Sequence, residues 1–173
     1  GRSYLIEAEY RYRQLRQQTE GAESKSGSSI EGAGRAAPEL LKKADSELKT
    51  AIDLLRDEAH QTYLLRGLLM RASAFRLHTL IGAPTAKLFR QASTLLEEVS
   101  DIAVRGDMRM FEAEYHLELA RLQWAWNQQT DEPGHRKKAL FNLADAEALI
   151  REFGYRRREP EVIALQQTIR EAG

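Results

Sequence analysis

The sequence predicts an all-α protein: three antiparallel helical hairpins stacked as a right-handed α-solenoid, followed by a short C-terminal helix. Three observations point there. Apolar residues recur at helical spacing along the chain, and no stretch alternates with the period of two that a half-buried strand requires. The four prolines, at 38, 84, 133 and 160, each stand just before such a run, where a residue without an N–H is tolerated. One apolar frame then returns three times at a nearly constant interval.

The 173 residues suit a single domain. Helices are predicted over 3–20, 38–59, 61–81, 84–104, 108–128 and 134–153, with a shorter one over 160–171. The first run begins directly after Gly1-Arg2-Ser3 with no start methionine, and the chain is read as a piece of a longer protein. Residues 21–36 are rich in Gly, Ser and Ala, with Ile30 as their one aliphatic side chain and no aromatic. They are read as a flexible loop inside the first hairpin. Pro38, Pro84 and Pro133 mark the starts of the second, fourth and sixth helices. Gly82, Gly106 and Gly154 stand where periodic runs end and are expected to be C-caps. Asp107 is placed to N-cap the helix that follows Gly106.

The repeated frame lies in the second helix of each pair. It reads Ala44, Leu48, Ala51, Leu55, then Ala92, Leu96, Val99, Ala103, then Ala139, Leu143, Ala146, Ile150. Steps of four, three and four residues keep each set on one helix face. From Ala44 to Ala92 the interval is 48 residues, and from Ala92 to Ala139 it is 47. The preceding helices match more weakly, with Ala74 and Ala120 lying 46 residues apart. Small residues let helices approach and larger ones a turn away fill the gap. Each hairpin then leaves an apolar face for the next hairpin to cover, and the first helices line a concave face.

The frame resembles that of the tetratricopeptide repeat superfamily, whose second helix carries small, large and small positions of this kind. The interval exceeds that family's ~34 residues, and the Trp-x2-Leu-Gly-x2-Tyr opening is missing. A HEAT-like or other α-solenoid also fits the period. The segment from Leu143 through Ala146, Leu149, Ile150, Gly154, Tyr155, Arg156, Arg157 and Arg158 to Glu161 is similar to the closing repeat of long-helix tetratricopeptide regions in bacterial multidomain proteins. Those regions often follow a NACHT or related STAND-type signalling NTPase core. The resemblance implies a sensor or assembly module of a larger bacterial, cytoplasmic protein. Nothing in the chain resembles the NTPase itself.

Several function classes are disfavoured on composition. With 26 basic and 26 acidic residues there is no bulk attraction to nucleic acid or anionic lipid. The absence of cysteine excludes disulfide frameworks and thiolate metal sites. No apolar run approaches the ~18–20 residues of a membrane span. No phosphate loop, dinucleotide fingerprint or nucleophile elbow is present; Gly27 to Gly34 has no strand before it and no Lys-Ser/Thr after it. Glu97 and Glu98 are adjacent and so do not share a helix face. The histidines at 60, 78, 116 and 135 lack the paired Glu-x-x-His pattern of a helical metal site: Glu132 to His135 spans Pro133-Gly134, and Asp57 to His60 has no twin. No enzyme activity, catalytic residue, cofactor or metal is expected.

Candidate binding residues fall on the first helix of each pair. Tyr4, Tyr10, Tyr12, Tyr63, Phe75, Phe111, Tyr115, Trp124 and Trp126 either anchor a peptide in the groove or fill the core between helices. Trp124 and Trp126, two residues apart, cannot both face inward. The polar groove candidates are Arg66, Arg71, His78, Glu112, His116, Arg121 and Gln123; the bland alternative is a solvated face. Beyond Gly154 lies a basic patch of Arg151, Arg156, Arg157 and Arg158, more cations than the ~0.3–1 kcal/mol of helix-end stabilisation calls for. The expected function is a non-catalytic scaffold or sensor that binds a protein, a peptide or neighbouring domains of its parent in the groove. The alternative is nucleic-acid or acidic-partner binding by the arginine patch.

Overall fold

The computed structural model describes residues 30–57, 60–81, 85–130 and 133–172. These form α1 (Ile30–Asp57), α2 (Gln61–Ile81), α3 (Ala86–Arg105), α4 (Arg109–Thr130), α5 (Pro133–Glu152) and α6 (Glu159–Glu171), with a 3-10 turn over Arg156–Arg158 leading into α6. No strand occurs among the described residues. The helix predicted over 3–20, with Tyr4, Tyr10 and Tyr12, and residues 21–29 of the predicted loop lie outside them.

The remainder of that loop is helical. α1 starts at Ile30, so Pro38 lies inside the helix instead of opening it. Ala33, Ala36, Ala37 and Glu31 are good helix formers, and their propensity outweighs the punctuation that Gly32, Gly34 and Pro38 suggest. Pro84 and Gly82 lie outside the described residues, and the other two prolines act locally. Pro133 opens α5 and Pro160 lies in the first turn of α6. Thr85, extended at φ −122° and ψ 134°, N-caps α3 with its hydroxyl accepting from the Leu88 N–H at 3.3 Å.

α3 and α5 end in the same kind of turn. After α5, the Tyr155 N–H donates to the Ile150 carbonyl at 2.8 Å and the Gly154 N–H to Arg151 at 3.4 Å. After α3, Met108 donates to Ala103 at 2.8 Å and Asp107 to Val104 at 3.3 Å. Both are Schellman motifs, which need a left-handed residue at the penultimate position. Gly154 meets that need at φ 69°, whereas in the first turn Asp107 does so at φ 50°. Gly106, at φ −90°, is not the left-handed residue. Asp107 therefore finishes α3 and does not begin α4. The Met108 carbonyl takes the first bonds of α4, from Phe111 at 2.8 Å and Glu112 at 3.2 Å.

Each helix packs on the next, and α2 also packs on α4, and α4 on α6. All twelve frame residues are buried, none more than 2% exposed. The interior divides around α4. Phe111 and Leu122 join a cluster with Ile52 and Leu55 of α1, Leu65 and Leu68 of α2, and Leu96 and Val99 of α3. Ala113, Leu117, Ala120 and Trp124, on another face of α4, join the frame residues of α5 and Val162 and Ile169 of α6. α4 thus has buried residues on both of these faces and is enclosed by its neighbours.

Candidate functional site

Three charged side chains of α4 fall on one line. Glu114, Glu118 and Arg121 stand at steps of four and three residues, hence on one face. α2 brings Arg76 to that line, the 3-10 turn brings Arg158, and α6 brings Glu161. Arg76 Nε donates to Glu118 Oε1 at 2.7 Å. Arg121 donates to Glu118 at 3.3 Å and to Glu161 at 2.5 Å. Arg158 donates to both oxygens of Glu114, at 2.7 and 2.8 Å, and also to Glu161. The Tyr155 hydroxyl donates to Glu114 Oε1 at 2.9 Å. Three guanidiniums and three carboxylates thus form one compensated seam running across α2, α4 and α6.

Its electrostatics follow from burial opposed by pairing. Burial pushes Glu118 up, but the Arg76 and Arg121 charges and hydrogen bonds from Arg76 and Ser73 outweigh it and hold the carboxyl below its usual range. Burial likewise opposes ionisation of Glu161, and Arg121 and Arg158 again bring it below the ordinary value. Burial disfavours the Arg158 cation, while Glu114 and Glu161 more than offset this and raise its affinity for the proton. Tyr155 is raised by burial and by its bond to the Glu114 carboxylate. Glu118, Glu161 and Arg158 are therefore all held in their charged forms near neutral pH. The side chain of Glu118 is 7% exposed and that of Arg76 12%, so this inner pair has little contact with solvent, while Arg158 and Glu161 at the outer end are 29% and 30% exposed.

The structure scatters the groove candidates. Arg121 belongs to the seam. Trp124 is buried in the α4–α5–α6 cluster. Glu112 is buried, with Arg109 at 3.1 Å from one carboxylate oxygen. His116 is half-buried, its Nδ1 at 3.2 Å from Asn142 Oδ1 on α5. Phe75 and Phe111 are core residues. Arg66 is exposed near the start of α2 and His78 half-buried near its end. Arg71 turns toward α1, donating to Asp45 at 2.6 Å. Trp126 is half-buried, packed 4.8 Å from Phe89 and 6.3 Å from His135, whose Nδ1 is 2.5 Å from Gln123 Oε1.

The basic patch is reduced by the same network. Arg158 is engaged by Glu114 and Glu161, and Arg151 lies 2.5 Å from Glu147. Arg156 and Arg157 remain exposed. Among the described residues no three His, Asp or Glu side chains gather as a metal site requires, and no described helix is long and apolar enough to cross a membrane.

Sequence reasoning missed Arg76, Glu114, Glu118 and Glu161. A local signal existed: Glu114, Glu118 and Arg121 share one face of a helix. Their partners lie 40 to 44 residues away, beyond the reach of helical periodicity. Comparison of the chain with protein-family models, curated proteins and solved structures found no match. The class that fold and site define is thus an all-helical packed domain with an internal ion-pair seam.

Proposed function

We propose that the chain is a non-catalytic interaction module. It is a tetratricopeptide-like α-solenoid from a larger bacterial, cytoplasmic protein, and it holds a protein, a peptide or neighbouring domains of its parent. The observation that supports this reading most is the burial of all three copies of the frame, at intervals of 48 and 47 residues. Contacts between successive helices, and between the alternate helices α2, α4 and α6, are those a stack of hairpins makes. In such a stack α2, α4 and α6 line the concave side. The seam then forms a charge-compensated floor, and recognition falls to side chains at the rim. Trp126 and Arg66 are the groove candidates with open surface there. An aromatic with one exposed edge and an arginine are the residue types that anchor protein partners.

The test is a partner identified by cross-linking to the wild-type protein, with its affinity then measured against Trp126→Ala and Arg66→Glu. The reading expects at least one variant to lose about tenfold in affinity, equivalent to ~1.4 kcal/mol, with the melting curve retained. Equal affinities for wild type and both variants would reject the rim as the recognition surface.

A further inference from the structure

A second concave feature lies between α2 and α3, away from the seam. It encloses about 320 Å³. On α3 its wall is Lys87, Arg90, Gln91 and Thr94, at steps of three, one and three residues that share one helix face. α2 contributes Arg71 and, one turn on, Phe75. Leu95 and Phe75 supply an apolar floor, 8% and 7% exposed. Three cations therefore converge on a cleft whose lining, among the described residues, contains no carboxylate.

Both arginines are held from behind. Arg71 donates through Nε to Asp45 Oδ1 at 2.6 Å, with its guanidinium 5.4 Å from the centre of the Phe75 ring. Arg90 donates through Nε to the Ala86 carbonyl of its own helix at 3.2 Å. Neither makes a hydrogen bond through its Nη groups to another described residue. Fixing a guanidinium at Nε leaves its outer edge as a pre-oriented fork, the geometry that takes a phosphate oxygen pair. Lys87 adds a point charge on the exposed rim.

We propose that this cleft binds a phosphate monoester that carries one flat aromatic group, an aryl phosphate or a nucleoside monophosphate. The phosphate lies between Arg71, Lys87 and Arg90. The ring covers Phe75 and Leu95, and Gln91 and Thr94 offer hydrogen bonds to its polar edge. Three cations, one of them balanced by Asp45, match a group of charge near −2 better than a single carboxylate. An inorganic ion would leave the apolar floor wet. A volume near the bottom of the ~300–1,000 Å³ range of ligand sites suits one such group. The site is independent of the rim surface proposed above.

Isothermal titration calorimetry of the full chain at low salt, where charge screening is weak, tests it with three probes: phenyl phosphate, adenosine monophosphate and inorganic phosphate. At least one organic phosphate should bind about tenfold or more tightly than the inorganic ion, and the tighter of the two identifies the ring type. Lys87→Glu and Arg90→Glu, both at exposed positions, should each weaken that binding about tenfold or more without shifting the melting curve. Arg156→Glu should leave it unchanged. The proposal falls if neither organic phosphate binds at millimolar concentration, if inorganic phosphate binds as well as both, or if the charge reversals in the cleft have no effect.

Discussion

On one side of α4, Phe111 and Leu122 meet large aliphatic side chains from three helices. On the other, Ala113 and Ala120 meet Ala139 and Ala146 of α5, with Leu117, Leu143 and Trp124 filling between them. Carboxylates and guanidiniums run where α4 meets α2 and α6. The difference shows two ways of fixing a helix pair. Interlocking aliphatics define a contact by shape. Alanine faces let α4 and α5 approach closely, while charged partners fix α4 against α2 and α6. A buried ion pair is a poor source of net stability, because desolvation offsets attraction, yet removing one partner leaves the other charge stranded.

The largest expected effect follows from that asymmetry. Glu118→Ala takes from Arg76 the carboxylate it meets at 2.7 Å and removes one of the two partners of Arg121, and should cost on the order of 3–5 kcal/mol. The paired replacement Arg76→Met with Glu118→Leu should recover much of this loss, since Arg121 keeps Glu161. Denaturant midpoints of the three proteins decide the matter; a double variant no more stable than Glu118→Ala would mean that the seam is a true source of stability.

On the aliphatic side, Leu96→Ala, at a site 1% exposed, should cost about 2–5 kcal/mol through lost burial and the cavity left behind. No paired replacement on the seam should restore it. Energies of Leu96→Ala and Glu118→Ala that fail to add within ~0.5 kcal/mol would show the two sides of α4 to be coupled and not separate.

Acid should separate the two sides more gently. Glu118 and Glu161 are held below the ordinary glutamate value of 4.5 in the folded protein. A group whose folded pKa is depressed contributes stability present above its unfolded pKa and lost as pH falls toward the folded one. Stability should therefore decline from about pH 4.5 downward. The decline should be shallower in Arg76→Met/Glu118→Leu and unchanged in slope in Leu96→Ala. Chemical denaturation at stepped pH reads all three; equal slopes throughout would place the acid-sensitive groups elsewhere.

The same division governs what the sequence could reveal. Ala92, Leu96, Val99 and Ala103 announce a buried face because helical spacing is a local property, and the same holds for the other two copies. The seam is a contact between residues about forty positions apart. Among 26 basic and 26 acidic side chains no spacing rule selects Arg76 for Glu118 or Arg158 for Glu114. Arg158 shows the consequence: read in sequence it belongs to a basic run, while in the fold it neutralises the half-buried carboxylate of Glu114. Composition also misled at Ile30 to Ala36, where glycine and serine nearby obscured a stretch with enough alanine to be helical.

The two Schellman turns offer the smallest and cleanest contrast, because one uses glycine where the other uses aspartate. A Cβ added at Gly154 would meet nothing within 4 Å. Gly154→Ala should thus cost about 1 kcal/mol from the left-handed backbone alone, with no steric contribution. Asp107 already bears that strain, and its carboxylate, 80% exposed, gains back little from Arg109 at 2.8 Å. Asp107→Gly relieves the strain but frees the unfolded chain, so the gain should be below about 1 kcal/mol. Gly106→Ala supplies the control. At φ −90° that residue has no need of glycine, and its new methyl would press on the Ile102 carbonyl at 3.2 Å and Met108 at 3.3 Å. Thermal melts should rank Asp107→Gly above wild type and Gly154→Ala below it. If Gly106→Ala proves the more damaging of the two alanine variants, close packing and not backbone handedness governs the end of α3.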